Sequence, residues 1–233
     1  MTRLDKTAAI ALIALGSFGV SAHADTISQW TFESSAPTSA GPFLAEVGNG
    51  AAMAFHAGTT TYSSPAGNGS SHSFSSTNWL TGDYYQFSLS TLGFSNLSVS
   101  WDQTSSNTGP KDFELEYSTN GTTFTDLASY SVLPNGTGNP AWNQNTSNSV
   151  YGFSQNLSSV SALNNQSSLL FRLVDIGTDA ANGGSVASGG TDRIDNFTID
   201  GSPAAPVPLP AAVWLLSGGL LGLGRFARRR AQA

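Results

Sequence analysis

The segment Leu80-Thr-Gly-Asp-Tyr-Tyr-Gln-Phe-Ser-Leu89 is followed by Leu97-Ser-Val-Ser-Trp101 and by Phe113-Glu-Leu-Glu-Tyr117. In these runs apolar and polar residues alternate, which is the period of a strand with one buried face. The third run continues through Asn120-Gly121 to Phe124-Thr-Asp-Leu127. Asn-Gly between two such runs is a strong hairpin signal, because both residues tolerate positive φ. This block therefore predicts consecutive antiparallel strands.

Similar short runs open and close the same stretch, at Ile27–Phe32, Leu169–Val174 and Arg193–Ile199. No 12-residue window has helical periodicity, although Leu157–Leu163 is compatible with one short turn. Many short strands separated by Gly and Asn turns are typical of an antiparallel β-sandwich. We therefore predict an all-β fold, an antiparallel β-sandwich over residues 25–201. We expect a signal helix before it and a hydrophobic helix after it.

The order of these runs resembles a known family of domains. The blocks Leu80–Leu89 and Leu97–Gly121, with the ending Asp192–Ile199, resemble the jelly-roll domains of secreted surface proteins, and are similar to carbohydrate-binding-module sandwiches. The resemblance covers about residues 26–200 and implies the fold more than any particular ligand.

Charge is unevenly distributed along the 233 residues. The whole chain is at −6 and only 10% of it is charged. Residues 25–201 hold three basic and 14 acidic residues, a net charge of −11, between two basic ends. This acidic middle excludes a nucleic-acid partner, which would need a basic face. The absence of Cys excludes disulfides and thiolate-ligated metals.

The first 24 residues have the three parts of a secretory signal peptide. Arg3 and Lys6 form the positive region, an apolar run follows, and the small residues Ala22 and Ala24 form the cleavage site. We predict cleavage after Ala24, with the Sec export machinery and signal peptidase as partners. The alternative is a buried N-terminal helix.

Residues 207–233 follow a short linker at 202–206. The uncharged run 211–224 has 14 residues, about 21 Å as a helix. That is short for a bilayer core of about 30 Å. The basic tail should stay cytoplasmic and leave the acidic domain outside; it comprises Arg225, Arg228, Arg229 and Arg230. The run is then either a weak permanent anchor in the inner membrane or a transient anchor that is later cut. A third alternative is a C-terminal helix in the core of the globular domain.

The start of this tail carries a sorting motif, Val207-Pro208-Leu209-Pro210. The motif, apolar run and Arg cluster, in this order, resemble the PEP-CTERM sorting signal in its VPLP variant. The resemblance implies export across the inner membrane of a Gram-negative bacterium, processing by an exosortase, and association with exopolysaccharide or biofilm. Leu209 stands where the commonest form has Glu, which points to a different exosortase subtype.

The jelly-roll resemblance also implies a structural calcium ion. In many such domains a Phe-Glu on the first strand and an Asp on the last strand share Ca²⁺; Glu33, after Phe32, and Asp195 match those positions. First and last strands are commonly neighbours in this topology, and carboxylates suit Ca²⁺. The alternatives are that Glu33 pairs with Arg193 or that both acids are solvated.

A second acidic group, Asp175, Asp179 and Asp192, flanks the long loop 176–191. It is either another cation site or ligand edge or, as we favour, a solvated loop.

Aromatic rings are candidates for stacking on sugars; those available are Trp79, Tyr84, Tyr85, Trp101 and Trp142. Trp30 and Trp101 lie in alternating runs and should be core. Trp142, in a polar segment, is the best candidate for an exposed ligand-binding ring. Even so, we favour a core or loop-anchoring role for it.

Catalysis has weak support. Glu114 and Glu116 are two residues apart on one strand and share a face, as any half-solvated strand residues do. We therefore predict an exported, noncatalytic surface or extracellular-matrix protein that contacts exopolysaccharide. The alternatives are a glycan-binding module with a defined sugar site and a glycan-active hydrolase.

Overall fold

The computed structural model describes residues 23–136 and 138–204. This part of the chain contains 13 strands: β1 Asp25–Trp30, β2 Phe43–Leu44, β3 Val47–Gly48, β4 Ala51–Phe55, β5 Tyr62–Ser63, β6 Phe74–Thr77, β7 Tyr84–Leu89, β8 Phe94–Ser105, β9 Asp112–Ser118, β10 Thr125–Ser131, β11 Gly152–Asn156, β12 Leu169–Asp175 and β13 Thr191–Pro203. Two short 3-10 helices, Ser149–Tyr151 and Ser161–Leu163, are also present. The second confirms the short turn expected before Leu163.

The strands form two antiparallel sheets. The first has the order β11-β8-β13-β1-β3, with β6 paired to β13 and β5 to β6. The second has the order β10-β9-β12-β7-β4-β2. The all-β antiparallel sandwich predicted from the alternating runs is confirmed. First and last long strands are neighbours, since Trp30 pairs with Phe197.

The core lies between the two sheets. Inward residues alternate with outward ones along β7 and β12, as the strand period requires. The Phe87 ring of the second sheet stacks on the Phe197 ring of the first, with ring centroids 3.6 Å apart. Trp30 meets Phe87 edge-on at 5.2 Å and is fully buried, and Trp101 is 4% exposed. Both tryptophans are core residues, as predicted.

The predicted hairpin joins β9 to β10. The Asn120 Oδ1 atom accepts hydrogen bonds from the backbone N–H groups of Thr122, at 2.9 Å, and Thr123, at 2.8 Å. Gly121 has a φ of 76°, the conformation that glycine adopts without a Cβ penalty. The connection is longer than two residues, because the ladder resumes only at Tyr117 and Thr125.

Several sequence predictions concern residues outside the described ranges. They include the signal helix and Ala22, the end of the linker, the motif Val207–Pro210, the apolar run and the basic tail. No helix within residues 23–136 and 138–204 is long and apolar enough to cross a membrane.

Candidate functional site

The outward side of the second sheet carries two rows of aligned side chains across β4, β7, β12, β9 and β10. Register places one row at Met53, Gln86, Arg172, Glu116 and Asp126, and the other at Phe55, Tyr84, Val174, Glu114 and Ser129. All ten residues are half-buried or exposed. We call these two rows the five-strand face.

Planar groups stack side by side on this face. The Phe55 and Tyr84 rings are stacked with centroids 5.2 Å apart and an interplanar angle of 18°. The Arg172 guanidinium carbon lies 3.9 Å from the Tyr84 centroid and 3.6 Å from that of Phe124. We call Phe55, Tyr84, Arg172 and Phe124 the planar ridge. Phe55, at its end, is 49% exposed.

Hydrogen bonding fixes the centre of the ridge. The Arg172 Nε donates to the Gln86 Oε1 at 2.9 Å, and Gln86 is directly opposite Arg172 in the ladder. The guanidinium is therefore held by two rings and one amide, so its plane is oriented before any ligand arrives. Preorganisation of this kind lowers the entropy lost on binding.

The β9–β10 side of the face is acidic. Glu114 accepts a hydrogen bond from the Ser129 hydroxyl at 3.3 Å, while Glu116 stands opposite Asp126. Partial burial raises the pKa of Glu116, the negative charges of Asp126 and Glu114 add to the rise, and Arg172 opposes it. Glu114 and Glu116 share one face, as predicted from their spacing.

A shallow depression continues the acidic side beyond Ser129. It has a volume of about 360 Å³ and is lined by Asp112, Ser129, Tyr130, Ser131, Ile176 and Gly177. Ser131 donates its hydroxyl to Asp112 at 2.5 Å. A ligand crossing β9 and β10 thus meets hydroxyl and carboxylate oxygens.

Trp142 lies elsewhere: the option of an exposed ligand-binding ring is wrong, and the loop-anchoring role is the one that the structure shows. Its side chain is 5% exposed, its Nε1 donates to the Ala66 carbonyl at 2.7 Å, and its ring meets Tyr151 edge-on at 5.4 Å. The surrounding polar loop folds over the ring because both the indole N–H and its apolar surface find partners there. Trp142 anchors this loop and presents no face to a sugar.

The residues predicted to bind calcium both contact the loop between β5 and β6. Glu33 Oε1 accepts from the His72 N–H at 2.7 Å, and Asp195 Oδ2 accepts from the Asn68 N–H at 2.9 Å and the Ser70 hydroxyl at 2.6 Å. Asp195 is fully buried and Glu33 is exposed.

The groups that contact Glu33 and Asp195 donate hydrogen bonds to them. A calcium ion would instead need six to eight oxygen ligands around it. Among the described residues, no group of three or more His, Asp or Glu side chains is placed to hold a metal ion. Asp195 therefore fits a loop-fixing role better than a calcium ligand set. Calcium binding by Glu33 and Asp195 stays a prediction.

Of the three acids that flank the loop 176–191, two are buried, although we expected all three to be solvated. Asp192 is fully buried and Asp175 is 1% exposed, while Asp179 is exposed. Asp192 Oδ1 accepts from Gln103 Nε2 at 3.0 Å, and Asp192 Oδ2 lies 2.9 Å from the Ser105 hydroxyl oxygen. Burial raises the pKa of Asp192 to about 8 and that of Asp175 to about 6. Asp175 and Asp192 occupy inward positions of β12 and β13. The sequence did not reveal this, because both residues border a Gly- and Ala-rich loop.

Sequence reasoning named Tyr84 and the two glutamates but missed Phe55, Phe124 and Arg172. One signal was available for Arg172, which is one of three basic residues between 25 and 201 and interrupts an apolar run. Phe55 lies outside every predicted strand and Phe124 begins one, and only strand pairing brings them to one face.

The fold and this face define an antiparallel β-sandwich that presents an aromatic and acidic surface on one sheet. No family model matches the chain, and no curated protein does. The solved structures that resemble it include the CBM22-1–GH10 modules of the Clostridium thermocellum endo-1,4-β-D-xylanase 10B. This match has 13% identity and a TM-score of 0.46 over 80% of this chain and 30% of that one.

Two further matches are similar in extent. The CBM22 tandem domain of Paenibacillus barcinonensis Xyn10C has 17% identity and a TM-score of 0.46, over 80% of this chain and 49% of that one. The K2 cleaved adhesin domain of Lys-gingipain has 14% identity and a TM-score of 0.44, over 76% and 99%. The chain thus spans 30% and 49% of the lengths of the first two of these structures. At these identities and TM-scores, the similarity assigns no ligand.

Proposed function

We propose that the sandwich is a noncatalytic glycan-binding module and that the five-strand face is its binding surface. The observation that carries the proposal is the planar ridge, in which an exposed Phe55 ring continues through Tyr84 and Arg172 to Phe124. An exposed aromatic face such as that of Phe55 suits a sugar, because the C–H face of a sugar is apolar and its rim is hydroxylated. Gln86, Ser129 and the glutamates supply hydrogen-bonding groups beside the ridge.

The surface is also open along its length. Its rows cross five strands, so neighbouring positions lie about 4.8 Å apart from strand to strand. A surface of this kind suits an extended polymer more than a small molecule, because small-molecule ligands are held in enclosed cavities. This supports a polysaccharide as the ligand.

A glycan array with the full chain in detergent tests the proposal. We expect binding to at least one glycan, reduced at least tenfold by Phe55→Ala and by Tyr84→Ala. Leu92→Ala is the matched control, since Leu92 is 56% exposed in the turn before β8, off the five-strand face. Equal binding by all three variants would contradict the assignment of the face.

The noncatalytic assignment has its own support. Glu114 and Glu116 stand side by side on one open strand face, whereas a glycosidase places its two carboxyls on either side of the scissile bond. The hydrolase alternative predicts release of reducing ends from a bound glycan, abolished by Glu114→Gln or Glu116→Gln. We expect no release from the parent protein.

We further propose that the protein is exported and sorted to the cell surface or extracellular matrix of a Gram-negative bacterium. The supports are sequence features: the signal peptide ending at Ala24, the motif Val207-Pro208-Leu209-Pro210 and the Arg-rich end. The Sec machinery and signal peptidase act on the first, and an exosortase acts near the motif. The bound glycan is then the exopolysaccharide of the producing cell.

Mass spectrometry of the extracellular protein tests the sorting proposal. We expect a mature chain that begins at Asp25 and ends near 207–210, and retention of the precursor in the membrane when Pro208 and Pro210 are changed to Ala. A stable membrane protein that keeps Arg228, Arg229 and Arg230 would overturn it.

A further inference from the structure

We propose that the buried pair His56–Asp83 positions the exposed end of the planar ridge, and that acid opens this pair and weakens glycan binding. This inference rests on the proposed glycan-binding function and adds the regulation of the same face. It is carried by the place of the pair at the end of the β4–β7 ladder and by its burial.

The pair lies one residue beyond the exposed ring of the ridge. The β4–β7 ladder ends at the opposed residues Phe55 and Tyr84, whose rings are stacked. His56 follows Phe55 in the chain and Asp83 precedes Tyr84. The His56 Nδ1 and Asp83 Oδ2 atoms are 2.9 Å apart, so the pair continues the connection between the two strands past the last ladder position. Because strand ends open most easily, this connection holds Phe55 against Tyr84.

Asp83 joins the turns on both sides of the pair. Its Oδ1 accepts from the Ala57 N–H at 2.8 Å, and its Oδ2 accepts from the Leu80 N–H at 2.8 Å as well as from His56. Because the carboxylate only accepts, the His56 Nδ1 carries a proton, and its Nε2 accepts from the Ser76 hydroxyl at 3.0 Å. Opening of the pair therefore frees both turns at once.

The order Ser76–His56–Asp83 is that of a serine-hydrolase triad, but its burial indicates a positioning role. The His56 side chain is 1% exposed and that of Asp83 is fully buried, as is Ser76. The Ser76 hydroxyl lies inside the sandwich, 3.4 Å from the Tyr85 hydroxyl, where no substrate reaches it. Since Ser76 is on β6 and Tyr85 is on β7, these contacts connect the two sheets.

Protonation of His56 acts against the closed pair. A second proton places a positive charge on a buried ring that meets Trp79 edge-on at 4.6 Å. Desolvation by burial lowers the pKa of His56 below its ordinary value of 6.5, and the charge of Asp83 opposes this shift only in part. The other titratable groups around the pair are Tyr62, Tyr85 and Asp175. Burial raises the pKa of both tyrosines above 10.0, so neither is charged.

The pH dependence of the pair has a distinctive sign. In the open pair His56 is solvated and keeps its ordinary pKa, so the open form binds more protons than the closed form as pH falls below 6.5. Acid therefore favours opening. Three buried acids with raised pKa values act in the opposite direction and stabilise the folded chain on acidification; they are Asp175, Asp192 and Asp195. A loss of protection in acid that is confined to the two turns thus identifies His56.

Hydrogen exchange on the full chain in detergent measures opening of the pair. We expect the opening constants of the Ala57 and Leu80 amides, corrected for intrinsic exchange rates, to rise about threefold or more from pH 7.5 to pH 5.5. One proton allows a rise of up to about tenfold per pH unit. The amide of Phe87, in the middle of β7, should show no such rise.

Variants assign the rise to one imidazole. His56→Asn offers an amide donor near the Nδ1 position and His56→Gln offers one near the Nε2 position, and neither side chain titrates, so the rise should disappear in both. His72→Asn is the matched control, because this second imidazole lies in the loop between β5 and β6. We expect His72→Asn to keep the full rise.

A glycan array of uncharged oligosaccharides, read at the same two pH values, measures the effect on the five-strand face. Apparent affinity scales with the fraction of chains in which the pair is closed. We expect the parent chain to bind its preferred glycan about threefold more weakly at pH 5.5 than at pH 7.5. His56→Asn should bind that glycan equally at both pH values.

The outcomes distinguish this inference from the proposed function. If opening at Ala57 and Leu80 does not rise in acid, or rises equally in His56→Asn, the inference is overturned, while glycan binding at both pH values leaves the proposed function standing. A rise in opening with unchanged glycan affinity overturns the positioning role of the pair. If no glycan binds the parent chain at either pH, the proposed function falls and this inference falls with it.

Discussion

The Arg172 guanidinium carbon lies 3.9 Å from the centroid of the Tyr84 ring. The two residues are on adjacent strands, but Arg172 is directly opposite Gln86, and Tyr84 is two residues further along, opposite Val174. The arginine therefore reaches diagonally to the tyrosine while its Nε stays bonded to Gln86. This arrangement makes the centre of the five-strand face both apolar and positively charged, between an aromatic side and an acidic side.

Replacing Arg172 by lysine tests whether glycan binding depends on the flat guanidinium group or only on its positive charge. Arg172→Lys keeps the charge but loses the flat group between Tyr84 and Phe124, and the two residues are not interchangeable at a stacked site. We expect glycan affinity to fall at least fivefold and the free energy of unfolding to fall by about 1 kcal/mol, the value of a partly exposed cation–π contact. Calorimetry and urea unfolding measure the two effects. Unchanged affinity would show that the guanidinium plane has no part in binding.

The stacked pair Phe87–Phe197 joins the two sheets. Phe197→Ala removes a fully buried ring in contact with Phe87 and Trp30, and such truncations cost about 3–5 kcal/mol. Phe55→Ala, at a ring that is 49% exposed, should cost less than about 1 kcal/mol. Urea unfolding followed by tryptophan fluorescence measures both. Similar losses in the two variants would contradict the assignment of Phe55 to the surface.

Asp192 should make stability fall with rising pH across the range between its unfolded and its folded pKa. Its folded pKa of about 8 lies above the unfolded value of about 3.9. The folded chain therefore holds a proton that the unfolded chain has lost, and stability falls as pH rises toward 8, by at most about 1.4 kcal/mol per pH unit for this group. Asp175 and Asp195, with pKa values of about 6 and 7, act in the same direction at lower pH.

A matched variant isolates the Asp192 effect. The Ser105 hydroxyl lies 2.9 Å from Asp192 Oδ2 and 2.6 Å from the Pro110 carbonyl, and one hydroxyl proton cannot serve both. A neutral carboxyl that donates to Ser105 resolves this, and Asn offers the same donor. We expect Asp192→Asn to fold and to lose the decline in stability between pH 7 and 8.5. A decline of the same slope in the variant would assign the proton to another group.

Asp195 fixes the loop between β5 and β6. Asp195→Ala leaves the backbone N–H groups of Asn68 and Asn196 without the carboxylate that accepts from them, while the Ser70 hydroxyl keeps the His72 carbonyl. We expect a loss of about 2–4 kcal/mol, since each buried unsatisfied group costs about 1–3 kcal/mol. Urea unfolding in EGTA measures this loss independently of calcium.

The calcium prediction adds a separate measurement at Glu33. If Glu33 and Asp195 bind the ion, Tm rises when CaCl2 replaces EGTA, because a ligand that binds only the folded state stabilises it. We expect Glu33→Ala to remove that rise. The same Tm in CaCl2 and in EGTA for the parent protein would contradict calcium binding.

Position 50 requires glycine for two reasons, its positive φ and the lack of room for a Cβ atom. Gly50 has a φ of 118°, and a Cβ there would lie 2.0 Å from the Ser88 carbonyl oxygen. Gly82 has a φ of 95° but open space around it. We expect Gly82→Ala to cost about 1–2 kcal/mol for the left-handed backbone alone. Gly50→Ala should cost more, because the backbone at β7 must also move. Equal midpoints in urea for the two variants would contradict this.

The sequence by itself determined the strands and the charge distribution. Alternation in Tyr84–Leu89 and Leu169–Val174 is a local property, since a buried face requires an apolar residue at every second position. The pairing of first and last strands was expected from a resemblance to jelly rolls. The acidic middle and basic ends are likewise a direct count of residues.

Only the tertiary structure decided which side chains share a surface. Phe55 and Phe124 are on segments far apart in the chain, and they belong to one ridge because β4, β7, β12 and β9 pair in that order. Only the tertiary structure decided between the two roles of Trp142 as well, because a polar segment folds over a ring when the indole N–H finds a carbonyl such as that of Ala66. Local patterns specify which face of a strand is buried, but strand order and register, which depend on long-range packing, specify what lies beside it.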